Sequence, residues 1–419
     1  MKKIAVIGSG ISGLISAYIL QNKYDVTLFE SNNYLGGHTN TVDVELENIK
    51  YAIDTGFIVF NNKTYPNFIK FLNLLNVKWQ NSDMGFSVSG SQFEFSYGGD
   101  LLYFLLNQNY KLFKPRIYKL LNEILRFNKQ CVYLDSQDKI PLDFSLLEFI
   151  SLNNYSHDFR DYYLLPMVSA IWSSTYNEAS DFSLHFFIKF FTNHGLLSVN
   201  NRPQWHVISG GSREYVRALV SQAHFKIMLN TPVKSIKRKK LNVLIETKNS
   251  EYTFDEVILA CHSDQALKII SDATEDEKYI LSSLPYQKNK VTLHTDISRL
   301  PKNKRNWASW NYMIQQSEID KNKLSSVSYN MNILQGIKSK HTFVVSLNQD
   351  ELINPKKILK QFEYDHPIFS KFSEEVKKKR ELICGKNRTH FCGAYWYNGF
   401  HEDGVNSALD VIKRFGVAL

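Results

Sequence analysis

The chain has 419 residues, 43% hydrophobic and 22% charged, which excludes a disordered or collagen-like polypeptide and makes one compact core unlikely for its length. Its formal net charge of +9 rests on 12 Arg and 38 Lys. With no Arg-rich stripe and no basic patch interleaved with aromatic residues, no nucleic-acid partner is expected, and a surface of this kind attracts anionic lipid headgroups at most. Cys131, Cys261, Cys384 and Cys392 form no C-x-x-C pair, which excludes a disulfide framework and points to reduced thiols in the cytoplasm.

The amino terminus imitates a secretion signal, with Lys2-Lys3 ahead of the largely apolar stretch Ile4 to Leu20. Gly8, Ser9, Gly10, Ser12 and Gly13 interrupt that stretch at fixed spacing, however, and no small-x-small cleavage pattern follows. Ile4-Ala5-Val6-Ile7 is a short continuous apolar run, as expected of a strand covered on both faces in a parallel sheet. Gly8-Ser9-Gly10-Ile11-Ser12-Gly13 then opens a helix reaching about Asn22, and Val26-Thr27-Leu28-Phe29 forms a second strand ending at Glu30. Gly8 permits the tight turn, Gly10 lets backbone approach a pyrophosphate, and Gly13 lets the helix lie against the strand. The helix N-terminus presents unpaired N–H groups to the phosphates. Glu30, 22 positions after Gly8, is placed to accept hydrogen bonds from the adenosine ribose and to repel a 2′-phosphate. Strand, glycine turn, helix and terminal acid together predict a dinucleotide-binding α/β fold of the Rossmann type.

The residues after Glu30 separate FAD from NAD. Glu30-Ser31, a short spacer, Gly36-Gly37, His38-Thr39 and then Asp54-Thr55-Gly56 resemble the flavin amine oxidase superfamily, with His38 where that family usually has Arg. Three further stretches follow in the family's order: Gly210-Gly211-Ser212 before a helix, Thr231 to Ile236 with Val233 at the adenine end, and Phe254 to His262, whose Ala260 returns to the dinucleotide. Phe391 to Ala408 resembles the closing flavin motif, and through it Gly393, Glu402, Gly404 and Val405 join Ile11 and Ser12 as implied cofactor contacts. Asp403 is the expected N-cap of a helix aimed at the flavin pyrimidine edge. The chain looks closest to bacterial NAD/FAD-binding proteins related to the flavin domain fused to plant cyclopropane fatty acid synthases, which implies a lipid methyltransferase as a partner.

The resemblance implies a discontinuous FAD-binding domain (1–60, 200–265 and 385–419) and an inserted α+β substrate domain (61–199 and 266–384). In the first insertion helical spacing marks Tyr65 to Leu75, Leu101 to Leu106, Ile117 to Phe127 and Phe144 to Leu152. The second combines a helix from Glu275 to Leu284 with strands at Lys290 to His294, Val327 to Asn330 and Thr342 to Leu347. Lys237 to Lys240 reads as a hairpin tip and Lys377 to Arg380 as a solvated helix end.

In such a family the flavin accepts hydride at N5 while the protein presents a C–H bond to it. Gly399-Phe400 stands where amine oxidases usually have Gly-Tyr, so a lipid-like fatty acyl substrate fits better than a polyamine; amine oxidation, or a flavoprotein without turnover of its own, are the alternatives. His401 is the candidate general base, with Phe400 and Trp396 as candidate pocket rings. Asn193-His194-Gly195 and Pro203-Gln204-Trp205-His206 are candidates for the pocket mouth, and His294 reads as a core histidine. The 12 His show no H-x-x-x-H or H-E-x-x-H pattern, so no metal is expected. No cysteine sits in a flavin-attachment pattern, so FAD is expected to be non-covalent, in a protein touching the inner membrane surface peripherally at most.

Overall fold

A computed structural model describes residues 1–90, 93–97, 115–141, 143–172, 175–197, 203–314 and 326–419. Its first layer is a five-stranded sheet in the order Lys226–Met228, Asp25–Phe29, Lys3–Ile7, Glu256–Leu259, Thr389–Phe391, every pair parallel. The apolar run Ile4 to Ile7 occupies the centre, flanked by strands on both sides and buried throughout, which is why it carries no alternation of polar residues. Val233 lies not in a strand but in the extended link before Ser235–Arg238.

The helix Ile11–Leu20 has nine of its ten residues buried, because it is packed between the sheet and the closing helix His401–Lys413. Each apolar side chain so covered contributes about 1.5–3 kcal/mol. The two helices touch at Gly404, where a Cβ would stand 2.6 Å from Ile11 Cγ2, and Ser12 Oγ donates to the Gly404 carbonyl at 2.8 Å across 392 positions of sequence.

A second, seven-stranded sheet runs Ile358–Pro367, Tyr286–His294, Val344–Leu347, Val327–Asn330, Trp310–Ile314, Phe86–Gly90, Phe93–Tyr97. It is antiparallel except where Trp310–Ile314 meets Phe86–Gly90. Its last two strands come from the insertion expected to be mainly helical. Their Phe-Ser-Val-Ser and Phe-Glu-Phe-Ser alternation has the period of two that marks strands. A third body is helical: Pro115–Ser136, Leu146–Leu152, Leu165–Trp172 and Leu184–Asn193 enclose Phe127, Phe159, Phe187 and Phe191. Pro66–Leu74 and Glu275–Ser282 complete the expected helices, and the stretch Leu101 to Leu106 lies outside the described residues.

Two charged runs differ in outcome. Lys239 N–H donates to the Asn242 carbonyl at 2.8 Å in the turn between Ser235–Arg238 and Val243–Glu246, so Lys239 and Lys240 form the expected hairpin tip, while Lys237 and Arg238 end the strand and Arg238 pairs with Asp272 and Glu277, each at 2.7 Å. The run from Lys377 to Arg380 is only half solvated. Lys377 is buried and donates to the Tyr397 carbonyl at 2.6 Å. Arg380 is also buried, donating to the carbonyls of Phe391 (2.8 Å) and Ser407 (3.0 Å) and pairing with Asp410 at 2.8 Å. Carbonyls at the closing motif accept from these cations inside the protein, a long-range partnership that a local charge pattern does not show.

Asp54 ties the layers together. Fully buried, its carboxylate accepts from Thr41 Oγ1 (2.6 Å), from Ser212 N–H and Oγ (both 2.8 Å) and from Gln335 Nε2 (3.2 Å), while its own N–H donates to Gln335 Oε1 at 2.9 Å. Burial pushes its pKa up to about 6. Asp54→Ala strands several buried donors and is expected to cost about 2–3 kcal/mol, read as a lower urea midpoint at unchanged slope; an unshifted midpoint would deny the network this role.

Candidate active site

One cavity of about 1210 Å³ extends from the opening glycine turn, past the closing motif, into the space between the seven-stranded sheet and the helical body. It exceeds the roughly 300–1,000 Å³ of a site for one drug-sized ligand and has room for a long cofactor together with a substrate. At one end Gly8, at φ +101°, turns the chain from strand to helix. A Cβ built on Gly10 meets nothing within 4 Å, so the space above the helix N-terminus is open, as a diphosphate requires. Glu30, at the strand end, is held by Ser9 N–H (3.0 Å), Ser9 Oγ (2.5 Å) and Asn32 N–H (2.8 Å). Its carboxylate is thereby fixed at the cavity wall.

The expected cofactor residues divide into two groups. Gly8, Gly10, Ile11, Ser12, Glu30 and Ser31 line the cavity, as do Gly36, Gly37, His38 and Gly56, and also Val233, Ala260 and Gly393. The others stand behind the wall. Gly13 and Gly404 are helix contacts, and Val405 is buried in the core around the parallel sheet. Thr39 Oγ1 lies 2.5 Å from Tyr215 Oη. Glu402 turns away from the cavity, its carboxylate accepting the N–H groups of Asn67 (2.9 Å) and Phe68 (2.8 Å), where it caps the helix Pro66–Leu74. Asp403 is not the N-cap. The helix starts at His401, and Asp403, two positions further on, accepts the Phe400 N–H at 2.8 Å. Burial pushes both acids up to about 7.

Among the candidate catalytic residues, Phe400 and His401 face the cavity. Trp396 does not: it is buried behind the wall, with the Arg380 guanidinium 5.2 Å from its ring. His401 stacks on Phe57 at 3.7 Å, its Nε2 lies 3.0 Å from Tyr215 Oη, and burial depresses its pKa to about 3. Without ligand such an imidazole is neutral at working pH, the form in which a ring nitrogen can accept a proton. His194, Gly195, Pro203, Gln204 and Trp205 line the cavity, while Asn193 and His206 are not part of its lining. His294 is a core residue, with Nε2 2.9 Å from Ser346 Oγ. Sequence reasoning missed His262, His366 and Tyr364, which also line the cavity. His262 ends a recognised strand motif, whereas His366 and Tyr364 carried no local signal.

The model of the flavin containing amine oxidoreductase family matches residues 11–295. The chain belongs to that family. It is an FAD-dependent oxidoreductase, and the open glycine turn, the anchored Glu30 and the closing helix are the groups that fit FAD. When bound, FAD supplies a hydride acceptor. A 76-residue stretch is 40% identical to 1-hydroxycarotenoid 3,4-desaturase of Flavobacterium sp. (strain P99-3), covering 18% of this chain and 14% of that relative. Among solved structures, a fatty acid isomerase from P. acnes that produces CLA superposes with a TM-score of 0.72 at 16% identity, over 99% of this chain and 98% of that one. Putrescine oxidase bound to putrescine gives 0.69 at 13% identity, over 99% of each chain. These two share the fold across the full length of the chain.

Two outcomes test the site. Gly404→Val forces the opening and closing helices apart and is expected to lower FAD stoichiometry in the purified protein; full flavin content would contradict the packing. Asp403, raised by burial, adds most to stability below its unfolded pKa near 4, and that contribution is lost as pH rises through about 7. Asp403→Asn should therefore gain on the parent protein between these values, by up to about 1.4 kcal/mol per pH unit, measured by urea unfolding across that range. A constant difference would exclude a buried titrating carboxyl.

Proposed function

We propose that this flavoprotein removes hydride from an uncharged, lipid-like fatty acyl chain held in the far half of the cavity. The carrying observation is the wall there. Met167, Ile171, Trp172 and Phe190 of the helical body face Trp310 and Tyr329 of the sheet, and no Lys or Arg lines the cavity among the described residues. Phe400 stacks on Phe190 at 4.9 Å, so the ring from the closing motif extends this apolar wall. Among the described residues a free carboxylate finds no Lys or Arg to meet it, so an esterified acyl chain fits better than a free fatty acid.

In this reading the aromatic walls orient the chain and exclude water, and the Phe57–His401 stack offers a neutral surface beside the closing helix. FAD is held non-covalently: burial pushes the thiol of Cys261, the one described cysteine in the lining, up to about 12, away from the reactive thiolate. An esterified acyl chain is also the substrate class shared with a lipid methyltransferase partner. No helix among the described residues is long and apolar enough to cross a membrane, so such a chain would be met at a bilayer surface or on a carrier. Amine oxidation is the second reading, supported by the carboxylates of Asp83 and Glu363 in the lining, both on exposed residues.

Anaerobic mixing with phospholipids, acyl thioesters and amines, monitored by loss of the oxidised-flavin absorption band, decides between them. Bleaching by acyl lipids is expected, and Phe190→Ala should slow it several-fold without changing flavin content. Bleaching by amines alone would overturn the acyl reading, and no bleaching by any class would favour a flavoprotein that supports its partner without turnover.

A further inference from the structure

A cavity built for a diphosphate brings at least two negative charges into a protein interior, and no Lys or Arg lines it among the described residues. Three histidines from three separate elements line it instead, beside one another. His38 follows the Gly36-Gly37 loop, which crosses directly over the phosphate turn: a Cβ on Gly37 would stand 3.2 Å from Gly10 Cα. His262 precedes the helix Ser263–Ile269, and His366 lies on the sheet strand Ile358–Pro367. Their rings converge, with His38 centred 5.8 Å from His366 and 6.2 Å from His262. Nε2 of His38 and Nδ1 of His262 are buried without a hydrogen-bond partner, whereas His366 Nδ1 lies 3.3 Å from Asn289 Nδ2. Buried ring nitrogens without partners are costly unless a ligand meets them.

We propose that His38, His262 and His366 bind the FAD diphosphate as a cluster, and that at least one of them takes up a proton from solvent when the cofactor enters. The proposal rests on the FAD assignment. Without ligand, burial and mutual repulsion hold His38 down to about 3, burial holds His366 down to about 4, and burial also lowers His262. The other groups around the cluster are Tyr364 and Asp365 beside His366, Tyr286 stacked on His262 at 4.3 Å, Asp264 on the helix after His262, and His401. Asp264 and Asp365 favour a charged His262, and hydrogen bonding to the Asp365 backbone favours a charged His38. These supports are too weak to charge the cluster alone, and an arriving dianion adds the missing attraction. The pKa of the complex then exceeds that of the free protein, so affinity must rise as pH falls.

The test is titration of apoprotein with FAD, followed by calorimetry in buffers of different ionisation enthalpy and by flavin fluorescence across the neutral range. About one proton taken up per FAD is expected, with affinity weakening up to about tenfold per pH unit as the complexed cluster titrates. His38→Arg supplies a fixed charge and should reduce both proton uptake and the pH slope. His366→Gln, which removes a titrating ring and keeps a polar side chain, should weaken FAD several-fold. Tight, pH-independent binding by the parent protein with no proton uptake would overturn the proposal while leaving the FAD assignment intact. Absence of FAD binding at every pH would overturn both.

Discussion

The contact between the first and last helices is the constraint on which the site depends. A parallel sheet can bury its central strand only if helices cover both faces, and here the helix leaving the glycine turn is itself covered by the end of the chain. The hydrogen bond from Ser12 to the Gly404 carbonyl and the close approach at Gly404 fix how the two helices cross. That crossing sets the closing motif beside the phosphate turn, so Phe400 and His401 share a cavity with Gly10. Contacts this distant in sequence carry a loop-closure cost, offset by burial of almost every residue of the opening helix.

What was legible in the sequence was what local chemistry dictates. Ile4 to Ile7, the glycine turn and Glu30 form a unit whose spacing is meaningful without any partner, and the structure places them as that unit implies. Helix spacing was readable in the helical body for Ile117 to Phe127 and Phe144 to Leu152, whereas Leu165–Trp172 and Leu184–Asn193 were not anticipated. Several misses share a cause: they concern side chains whose partners lie far along the chain. Glu402 looked like a cofactor ligand because it neighbours the flavin motif, but two unpaired N–H groups at the start of Pro66–Leu74 claim its carboxylate. Lys377 and Arg380 looked solvated because they sit in a basic run, yet carbonyls near the closing motif accept from them inside the protein. His366 was invisible because a lone histidine in a strand has no signal until the sheet brings it beside His38.

The electrostatics of the cavity follow from the same placements. A helix N-terminus carries roughly half a positive charge, and the closing helix opposes its own with Glu402 and Asp403 in the first turn. Because burial holds both acids up to about 7, that opposition is incomplete near neutral pH and shrinks as pH falls. The positive character of the helix end therefore depends on pH, as the charge of the histidine cluster does, and in the same direction. Both changes make the cavity more welcoming to anions under mildly acidic conditions. A fixed arginine at position 38 would have supplied constant attraction, at the cost of a permanent buried charge whenever the site held no cofactor.

The apolar half of the cavity imposes a complementary constraint. No Lys or Arg lines the cavity among the described residues, so for the acyl substrate proposed above affinity would draw chiefly on removal of apolar surface from water, which grows with chain length at about 0.8 kcal/mol per methylene. A short polar amine gains little from the apolar part of the wall. The proposed long acyl chain would gain at each step along it, its position set by where the chain ends rather than by an ion pair. On the acyl reading, selection would fall on length and curvature, read by the close packing of Phe190 against Trp172 and Phe400.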